Sequence, residues 1–336
     1  MARRNPQRDA RLSGEPLDDP EGIGRTMPSV LTEAIRNVIA GAASGPFRHV
    51  EYPMAKSFEY MGDPGLHGPG SASWQVIGDV SSLVGGIRGL LIQAAHPEVV
   101  AGVGDHSRYR DDPLGRLSRT SAYVTATTFG ALPEVEQAVD IVKRIHRRVK
   151  GVSERGVRYD ASDPGFSAWV HNALTDSFLV AHQVYGEEPL SGSCCDRFVQ
   201  EQSRVGALLG SDPMPTSAEG LRRWIVDHPE LAPSQPMREA VAFLEDPPLD
   251  NTVKPAYRIL HDAAAATIPI RLRRLLGLSP QPFAISAGKA AVTILRWALS
   301  SSPSWEVALI RSGAEVPTGR FRQHLPIPVP DQESVG

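Results

Sequence analysis

The most central helix that the sequence predicts runs from Pro164 to Tyr185 and reads PGFSAWVHNALTDSFLVAHQVY. Apolar side chains cover most of its circumference, so other elements of the fold must enclose it. Asp163 and Pro164 begin it favourably, because a proline in the first turn has no N–H to leave unbonded. Elsewhere apolar residues recur every three or four positions, and alternating strand-like runs are scarce. The chain is therefore predicted to be all-α.

Further helices are predicted to surround this one in a single domain that spans residues 29–312. We expect them at residues 29–41, 75–95, 114–129, 133–151, 192–209, 216–226, 236–245, 253–275 and 285–299. Residues 1–28 are rich in Arg, Asp, Gly and Pro and are predicted to form a disordered tail. Residues 313–336 are predicted to form a flexible tail that contains proline.

Composition and charge exclude several classes of protein. Of the 336 residues, 41% are hydrophobic and 22% charged, which is typical of a chain with a packed core. The net charge of −3 gives no reason to expect nucleic acid or an anionic membrane as a partner. We find neither a signal sequence nor the roughly 18 apolar residues of a spanning helix. We therefore expect no transmembrane segment and a cytoplasmic location.

Common catalytic and cofactor motifs are missing from the sequence. Cys194 and Cys195 are adjacent, so they offer neither a disulfide framework nor a zinc cluster, and no Cys-x-x-Cys-His sequence could attach a haem covalently. Phosphate-binding glycine loops, His-Glu-x-x-His, Gly-x-Ser-x-Gly and Glu-x-x-His pairs are also lacking. Gly85 and Gly86 instead permit the close approach of another helix or of a flat ligand.

A histidine on the helix at residues 133–151 is the first candidate ligand. His146 lies on the apolar stripe formed by Val135, Val139 and Val142, with Ile145 beside it, and the flanking basic residues mostly point elsewhere. A buried neutral imidazole needs a partner, which a metal on one side and a hydrogen bond on the other would supply. The same spacing also suits a core histidine that is bonded to a carbonyl or carboxylate, so both interpretations stay open.

Two more histidines, His171 and His182, lie on the central helix. His171 shares a face with Leu174 and Phe178, which makes it a second candidate ligand or a residue that supports a ligand. The alternative for one of the two is a core histidine without a functional role.

A polar face is predicted on the helix at residues 114–129, where Arg116, Thr120 and Tyr123 lie on one side. Burial does not neutralise an arginine, so Arg116 or Arg119 inside the fold would need an anionic partner such as a carboxylate or a haem propionate. On a solvated helix the same residues would carry no function.

A succession of short motifs spans about residues 60 to 210. In chain order they are Gly68-Pro69-Gly70-Ser71, Trp74, GGIRGLLIQAAHP at 85–97, His106-Ser107, Asp112-Pro113, Arg116-Leu117, Arg119-Thr120, His146, Tyr159, Asp163-Pro164, Trp169-Val170-His171 and Asp176-Ser177. This order resembles the catalytic domain of the MpaB-type and rubber-oxygenase (latex-clearing protein) family.

The resemblance implies a globin-like helical core that binds haem b, and an oxygenase that uses O2 on an isoprenoid-like or otherwise apolar small molecule. It makes His146 the iron ligand and matches Arg116 and Thr120 to the family's arginine and threonine near the haem. His171 stays the alternative ligand, and Tyr123, on the same face as Arg116, is a further candidate for haem binding. Arg116, Arg119 and Thr120 would be the catalytic residues, stabilising negative charge that develops on oxygen.

The sequence departs from the family in three respects. Arg119 stands where rubber oxygenases have a distal lysine, and an arginine cannot lose its proton to ligate iron. The signal peptides of secreted relatives and the membrane association of fungal ones have no counterpart, so we expect a substrate other than polyisoprene. Two alternatives stay open: a haem monooxygenase or peroxygenase on the same scaffold, and a non-catalytic haem-binding or gas-sensing protein, including one that has lost haem.

Overall fold

The computed structural model of the protein describes residues 27–45, 49–107, 112–317 and 323–330. Within these ranges the chain forms fourteen α-helices, one turn of 3-10 helix and one two-stranded hairpin, which confirms the predicted all-α class. The predicted N-terminal tail lies almost wholly outside the described residues. So do residues 318–322 and 331–336 of the predicted C-terminal tail.

The helices follow one another along the chain with short links between most of them. They are α1 (Met27–Ser44), α2 (Ala72–Gly78), α3 (Ser82–Gln93), α4 (Pro97–His106), α5 (Pro113–Phe129), α6 (Leu132–His146), α7 (Pro164–Tyr185), α8 (Gly192–Leu208), α9 (Ala218–Val226), α10 (Gln235–Glu245), α11 (Lys254–Thr267), α12 (Ile270–Leu275), α13 (Ala284–Leu299) and α14 (Pro303–Ser312). A 3-10 helix at Ser57–Tyr60 precedes α2. The strands β1 (Lys150–Val152) and β2 (Arg158–Asp160) pair antiparallel between α6 and α7.

The central helix α7 packs most extensively against α3, and two glycines allow the contact to be close. A Cβ atom on Gly85 would lie 2.8 Å from Cδ1 of Phe178, and one on Gly89 would lie 2.7 Å from Cδ2 of Leu174. The two glycines are one helical turn apart, so they share the face that meets α7. The sequence predicted that Gly85 and Gly86 allow this close approach. A Cβ on Gly86 would meet nothing within 4 Å, so the second glycine at the contact is Gly89 and not Gly86.

A buried ion pair lies in the same helix contact. The guanidinium of Arg88 donates to the Asp176 carboxylate over 2.7 Å and to the Ser177 hydroxyl over 2.8 Å. Arg88 is fully buried, and its Nε and Nη2 atoms have no hydrogen-bond partner among the described residues. The pair therefore fixes how α3 and α7 are aligned, because neither charge can be left alone in the core.

Apolar side chains fill the space on both sides of α7. One cluster joins Trp169 to Phe198 of α8 and to Leu221 and Ile225 of α9. Another joins Ala181 and Tyr185 to α11 and α13, where the Tyr185 hydroxyl donates to the carbonyl of Ala263 over 2.8 Å. The helix is thus enclosed as its apolar circumference predicts.

Three predicted helices are interrupted or shortened in the structure. The one at 75–95 is divided at Asp79, whose carboxylate accepts from the Ser81 N–H over 2.8 Å, and α2 and α3 are bent by 91° there. The one at 253–275 is divided at Pro269, which cannot supply a helical N–H. The one at 133–151 ends at His146, because Lys150 enters the hairpin opposite Asp160. Helices α4 and α14 were not predicted.

The described part of the C-terminal segment contacts the helical body. Leu325 and Ile327 pack on the cluster around Trp74, Phe129 and Val307. The side-chain amide of Gln323 donates to the carbonyl of Leu299 over 2.7 Å.

Among the described residues no single helix combines the length and the apolar character needed to cross a membrane; α2 and α3 meet that test only as a bent pair.

Candidate functional site

The start of α5 is capped by Asp112. Its carboxylate accepts from the Gly115 N–H over 3.0 Å and lies 3.3 Å from the Arg119 guanidinium. The Arg119 side chain is 52% exposed and the Asp112 side chain 45%, so Arg119 is directed to the solvent side of α5. The structure therefore separates this arginine from the polar face that the sequence predicted on α5.

That polar face is half-buried and holds Arg116, Thr120 and Tyr123. The Thr120 hydroxyl donates to the Arg116 carbonyl over 3.2 Å, so it is bonded within its own helix. The Tyr123 hydroxyl is buried and has no hydrogen-bond partner among the described residues. Burial raises the pKa of Tyr123, so the phenol keeps its proton and is available as a donor.

His146 is the last residue of α6 and is half-buried. Val135 and Val139 are buried on the predicted stripe, whereas Ile145 is 51% exposed and faces solvent. Burial lowers the pKa of His146, so its imidazole is neutral near pH 7. In the described part of the chain its ring takes part in no hydrogen bond or ion pair. A neutral ring without a partner is the form in which histidine binds a metal.

His171 and His182, the other predicted histidines, are buried in α7. Nε2 of His171 lies 2.7 Å from the Gln202 carbonyl oxygen, to which it donates. Burial lowers the pKa of His171 to about 4, so the ring is neutral in the core. His171 therefore has the contacts of a core histidine, with Nε2 already bonded.

Other buried polar atoms without partners lie close to α2. Neither ring nitrogen of His67 nor Nε1 of Trp74 has a hydrogen-bond partner among the described residues. The Trp74 ring packs against Phe129 of α5, and α2 contacts both α5 and α8. Burying a donor without a partner costs about 1–3 kcal/mol. This region therefore suits a ligand or water that brings polar groups.

A further group of polar residues lies around His96, the residue before α4. The sequence alone assigned these residues no function. His96 is 1% exposed, and its Nε2 lies 2.8 Å from Oε2 of Glu230. His228, in the loop after α9, has its ring centroid 5.5 Å from that of His96. Metal-ligating atoms of His96, His228 and Glu230 all lie within 4.8 Å of one another.

A cavity of about 800 Å³ opens beside this group and is lined by Phe166, Trp224, His228 and Glu230, among others. The His228 ring packs against two neighbouring indoles, with its centroid 4.9 Å from that of Trp169 and 4.8 Å from that of Trp224. The loop is held at the end of α3 because the Ala232 N–H donates to the Ala95 carbonyl over 3.4 Å. The arrangement offers imidazole and carboxylate groups beside an aromatic wall.

The sequence contained one signal for this group. His96 belongs to a quoted motif, and His228 and Glu230 are separated only by Pro229. Their spacing matches none of the local metal motifs, and 134 residues separate His96 from Glu230. Only the contact between α3, α7 and the loop after α9 brings them together.

A second cavity, of about 450 Å³, lies along the end of α6. Its lining includes Ile141, Ile145, Arg144, Arg148 and His106. These are mostly exposed residues next to His146 in sequence, so this cavity lies on the outer side of α6.

Fold and site together define an all-helical protein with two features. One is the neutral His146 at the end of α6, which has no hydrogen-bond partner among the described residues; the other is an aromatic cavity lined by His228 and Glu230. The sequence profile of one family matches residues 74–297, two thirds of the chain, and is described as ER-bound oxygenase mpaB/B'/Rubber oxygenase, catalytic domain. The chain belongs to this oxygenase family, as its motifs indicated. No curated protein and no solved structure matches the chain significantly.

Proposed function

We propose that the protein is a haem b-dependent oxygenase that acts on an apolar small molecule with O2, and that His146 is the iron ligand. The observation that carries the proposal is the His146 ring, which is half-buried, neutral and free of hydrogen bonds among the described residues. Its position in the motif order is that of the family's haem histidine. Membership of an oxygenase family supports the reaction class.

The residues present suit a haem in their donor chemistry. A haem held by histidine has a neutral imidazole on its iron, and its propionates accept hydrogen bonds from the protein. Arg116 and the unpartnered Tyr123 hydroxyl, both on the polar face of α5, would bind the propionates. When bound, haem supplies the redox chemistry of O2.

The remaining roles fall to side chains of α5. Arg116 keeps its charge wherever it lies, so it would stabilise negative charge that develops on oxygen. The Thr120 hydroxyl would join it by exchanging its bond to the Arg116 carbonyl for one to that oxygen. We give Arg119 a smaller part, because its guanidinium pairs with Asp112 at the exposed start of the helix. Tyr123 keeps its phenolic proton because burial raises its pKa, so it donates rather than accepts a charge-assisted bond.

Absorption spectra of the purified protein, oxidised and reduced, test the cofactor. We expect a Soret band that is lost or grossly shifted in His146→Ala. The matched control is His106→Ala, because His106 is an exposed histidine at the end of α4. A Soret band that is unchanged in His146→Ala would exclude His146, and His171→Ala would then be examined.

Oxygen uptake with a panel of lipophilic substrates tests the activity. Cleavage of a carbon–carbon double bond yields carbonyl fragments, whereas hydroxylation leaves the carbon skeleton intact. Haem binding without oxygen uptake on any substrate would contradict the enzymatic part of the proposal and favour a gas-sensing protein.

A further inference from the structure

The imidazole of His96 is held between two carboxylates. Its Nε2 lies 2.8 Å from Oε2 of Glu230, and its Nδ1 lies 3.4 Å from Oε2 of Glu98. The Nδ1 contact lacks hydrogen-bond geometry, so this atom is without a hydrogen-bond partner among the described residues. His96 and Glu98 are 1% and 3% exposed, whereas Glu230 is 56% exposed at the mouth of the aromatic cavity.

The Glu98 carboxylate is held in place by two side chains other than His96. Its Oε1 accepts from the Ser153 hydroxyl over 3.0 Å, and its Oε2 lies 3.7 Å from the Arg155 guanidinium. A carboxylate behind a histidine is the usual support of a metal-bound imidazole, because it orients the ring and raises its basicity. In this chain the carboxylate is buried, and the opposite nitrogen of the same ring faces Glu230.

His228 supplies a second nitrogen. The Glu230 N–H lies 3.4 Å from Nδ1 of His228, so the two residues hold one loop conformation. The His228 ring packs against the neighbouring indoles of Trp169 and Trp224. The ring centroids of His96 and His228 are 5.5 Å apart, so the two imidazoles lie next to each other beside Glu230.

The ligand set is therefore two imidazoles and one carboxylate. Zinc or ferrous iron held by three such groups keeps positions open for water or a substrate. Bonds of about 2.0–2.1 Å place two ligand atoms about 3–3.5 Å apart. The three candidate atoms lie within 4.8 Å of one another, so small shifts of the side chains would bring them to this spacing.

We propose that His96, His228 and Glu230 bind one first-row transition-metal dication whose open positions face the aromatic cavity of about 800 Å³. The Glu98 carboxylate, 3.4 Å from Nδ1 of His96, would accept the N–H of this ring when the metal is bound. This site is distinct from the proposed haem, whose ligand is His146. The metal would present a Lewis acid to a small molecule held against Phe166 and Trp224.

Zinc is the probe for this site, because haem iron does not contribute to its measurement. The full-length chain is treated with a chelator, dialysed to equilibrium over a range of Zn²⁺ concentrations, and analysed for zinc per chain. We expect about one zinc ion per wild-type chain, and binding weakened by about tenfold or more in His228→Ala and in Glu230→Gln. His49→Ala is the control, because this histidine is exposed and lies outside the cluster.

Two results would overturn the proposal. One is a wild-type chain that binds no more zinc than the His228→Ala/Glu230→Gln double variant. The other is a loss of zinc in His49→Ala equal to that in His228→Ala. Glu230 is exposed, so Glu230→Gln leaves the core intact and a lowered zinc content reports on the site. A missing Soret band would contradict the haem proposal and leave the zinc result unchanged.

Discussion

Nε2 of His96 and Oε2 of Glu230 are 2.8 Å apart, although 134 residues separate them in the chain. This contact joins the link between α3 and α4 to the loop after α9. It places a fully buried ring against a side chain that reaches solvent. The site therefore has a buried inner part, formed by His96, and an exposed outer part, formed by Glu230, whose side chain can adjust.

The Glu98 carboxylate allows a prediction about that inner half. In Glu98→Gln the supporting charge behind His96 is removed while the side chain keeps its size. We expect zinc affinity to fall by about 10–100-fold, as for other residues that support a metal-bound histidine. Equilibrium dialysis measures the effect, with the exposed Glu219→Gln as control. Equal zinc affinities in the two variants would show that Glu98 does not support the site.

The contact between α3 and α7 predicts opposite effects of two adjacent substitutions. In Gly85→Ala the new Cβ would lie 3.0 Å from Cα of Phe178 and 3.2 Å from the Ser177 carbonyl oxygen. Backbone atoms give way poorly, so we expect a loss of about 1–3 kcal/mol in unfolding free energy. Gly86→Ala meets nothing within 4 Å and should be neutral or gain about 0.5–1 kcal/mol. Urea denaturation measures both; equal losses would refute the close packing at Gly85.

The Arg88–Asp176 pair predicts a large effect of removing one charge. Arg88→Met leaves the buried Asp176 carboxylate without its ion-pair partner, so we expect a loss of about 3–5 kcal/mol. The double variant Arg88→Met/Asp176→Leu should recover part of it, because neither charge then remains buried. Arg223→Ala breaks an exposed pair with Glu219 and should change stability by less than about 1 kcal/mol. A loss in Arg88→Met as small as that in Arg223→Ala would contradict the prediction.

The unpartnered hydroxyl of Tyr123 predicts a gain in the haem-free chain. Tyr123→Phe removes a buried polar group that has no partner among the described residues, so stability should stay the same or rise by about 1 kcal/mol. Tyr257→Phe breaks a bond of 2.6 Å to the Leu244 carbonyl and should lose about 1 kcal/mol. If Tyr123 binds a propionate, its variant also releases haem faster to an acceptor protein. Destabilisation of both haem-free variants by equal amounts would mean that the Tyr123 hydroxyl is bonded.

Burial of His171 predicts a loss of stability in mild acid. Its folded-state pKa is about 4, below the ordinary value of 6.5, so the unfolded chain binds more protons between these values. The unfolding free energy is therefore not reduced by this histidine above pH 6.5, and it falls as the pH is lowered towards 4. The full shift corresponds to about 3 kcal/mol. In His171→Gln the slope of unfolding free energy against pH should be shallower over this window; an unchanged slope would place the titration elsewhere, with His67 the next candidate.

Most of the helical framework was predictable from local pattern. The bounds of α7 agree with the prediction residue for residue, because Asp163, Pro164 and the apolar circumference are encoded within the helix itself. The ends of α5 and α13 were close for the same reason. The division at Asp79 was not predicted, although the Asp79 carboxylate accepts from the nearby Ser81 N–H. The same carboxylate lies 3.0 Å from the Arg296 guanidinium, a contact between distant parts of the chain that no local pattern contains.

Local sequence also carried the family motifs, and with them His146 and the polar face of α5. Helical periodicity placed Arg116, Thr120 and Tyr123 on one side of the chain. It could not show that Arg119 pairs with Asp112 at the exposed helix start, or that Nε2 of His171 is taken up by the Gln202 carbonyl. Those outcomes depend on burial, which arises only when the helices pack.

Tertiary structure alone decided which polar groups meet around His96. A spacing rule identifies ligands within one helix or loop, whereas this group has one residue in the link between α3 and α4 and two in the loop after α9. The antiparallel packing of α3 on α7, with Gly85 and Gly89 at the contact, sets where His96 stands. The sequence determines which side chain stands at each position. Which distant side chains come close to one another depends on the packed chain, because it follows from all the helix contacts together.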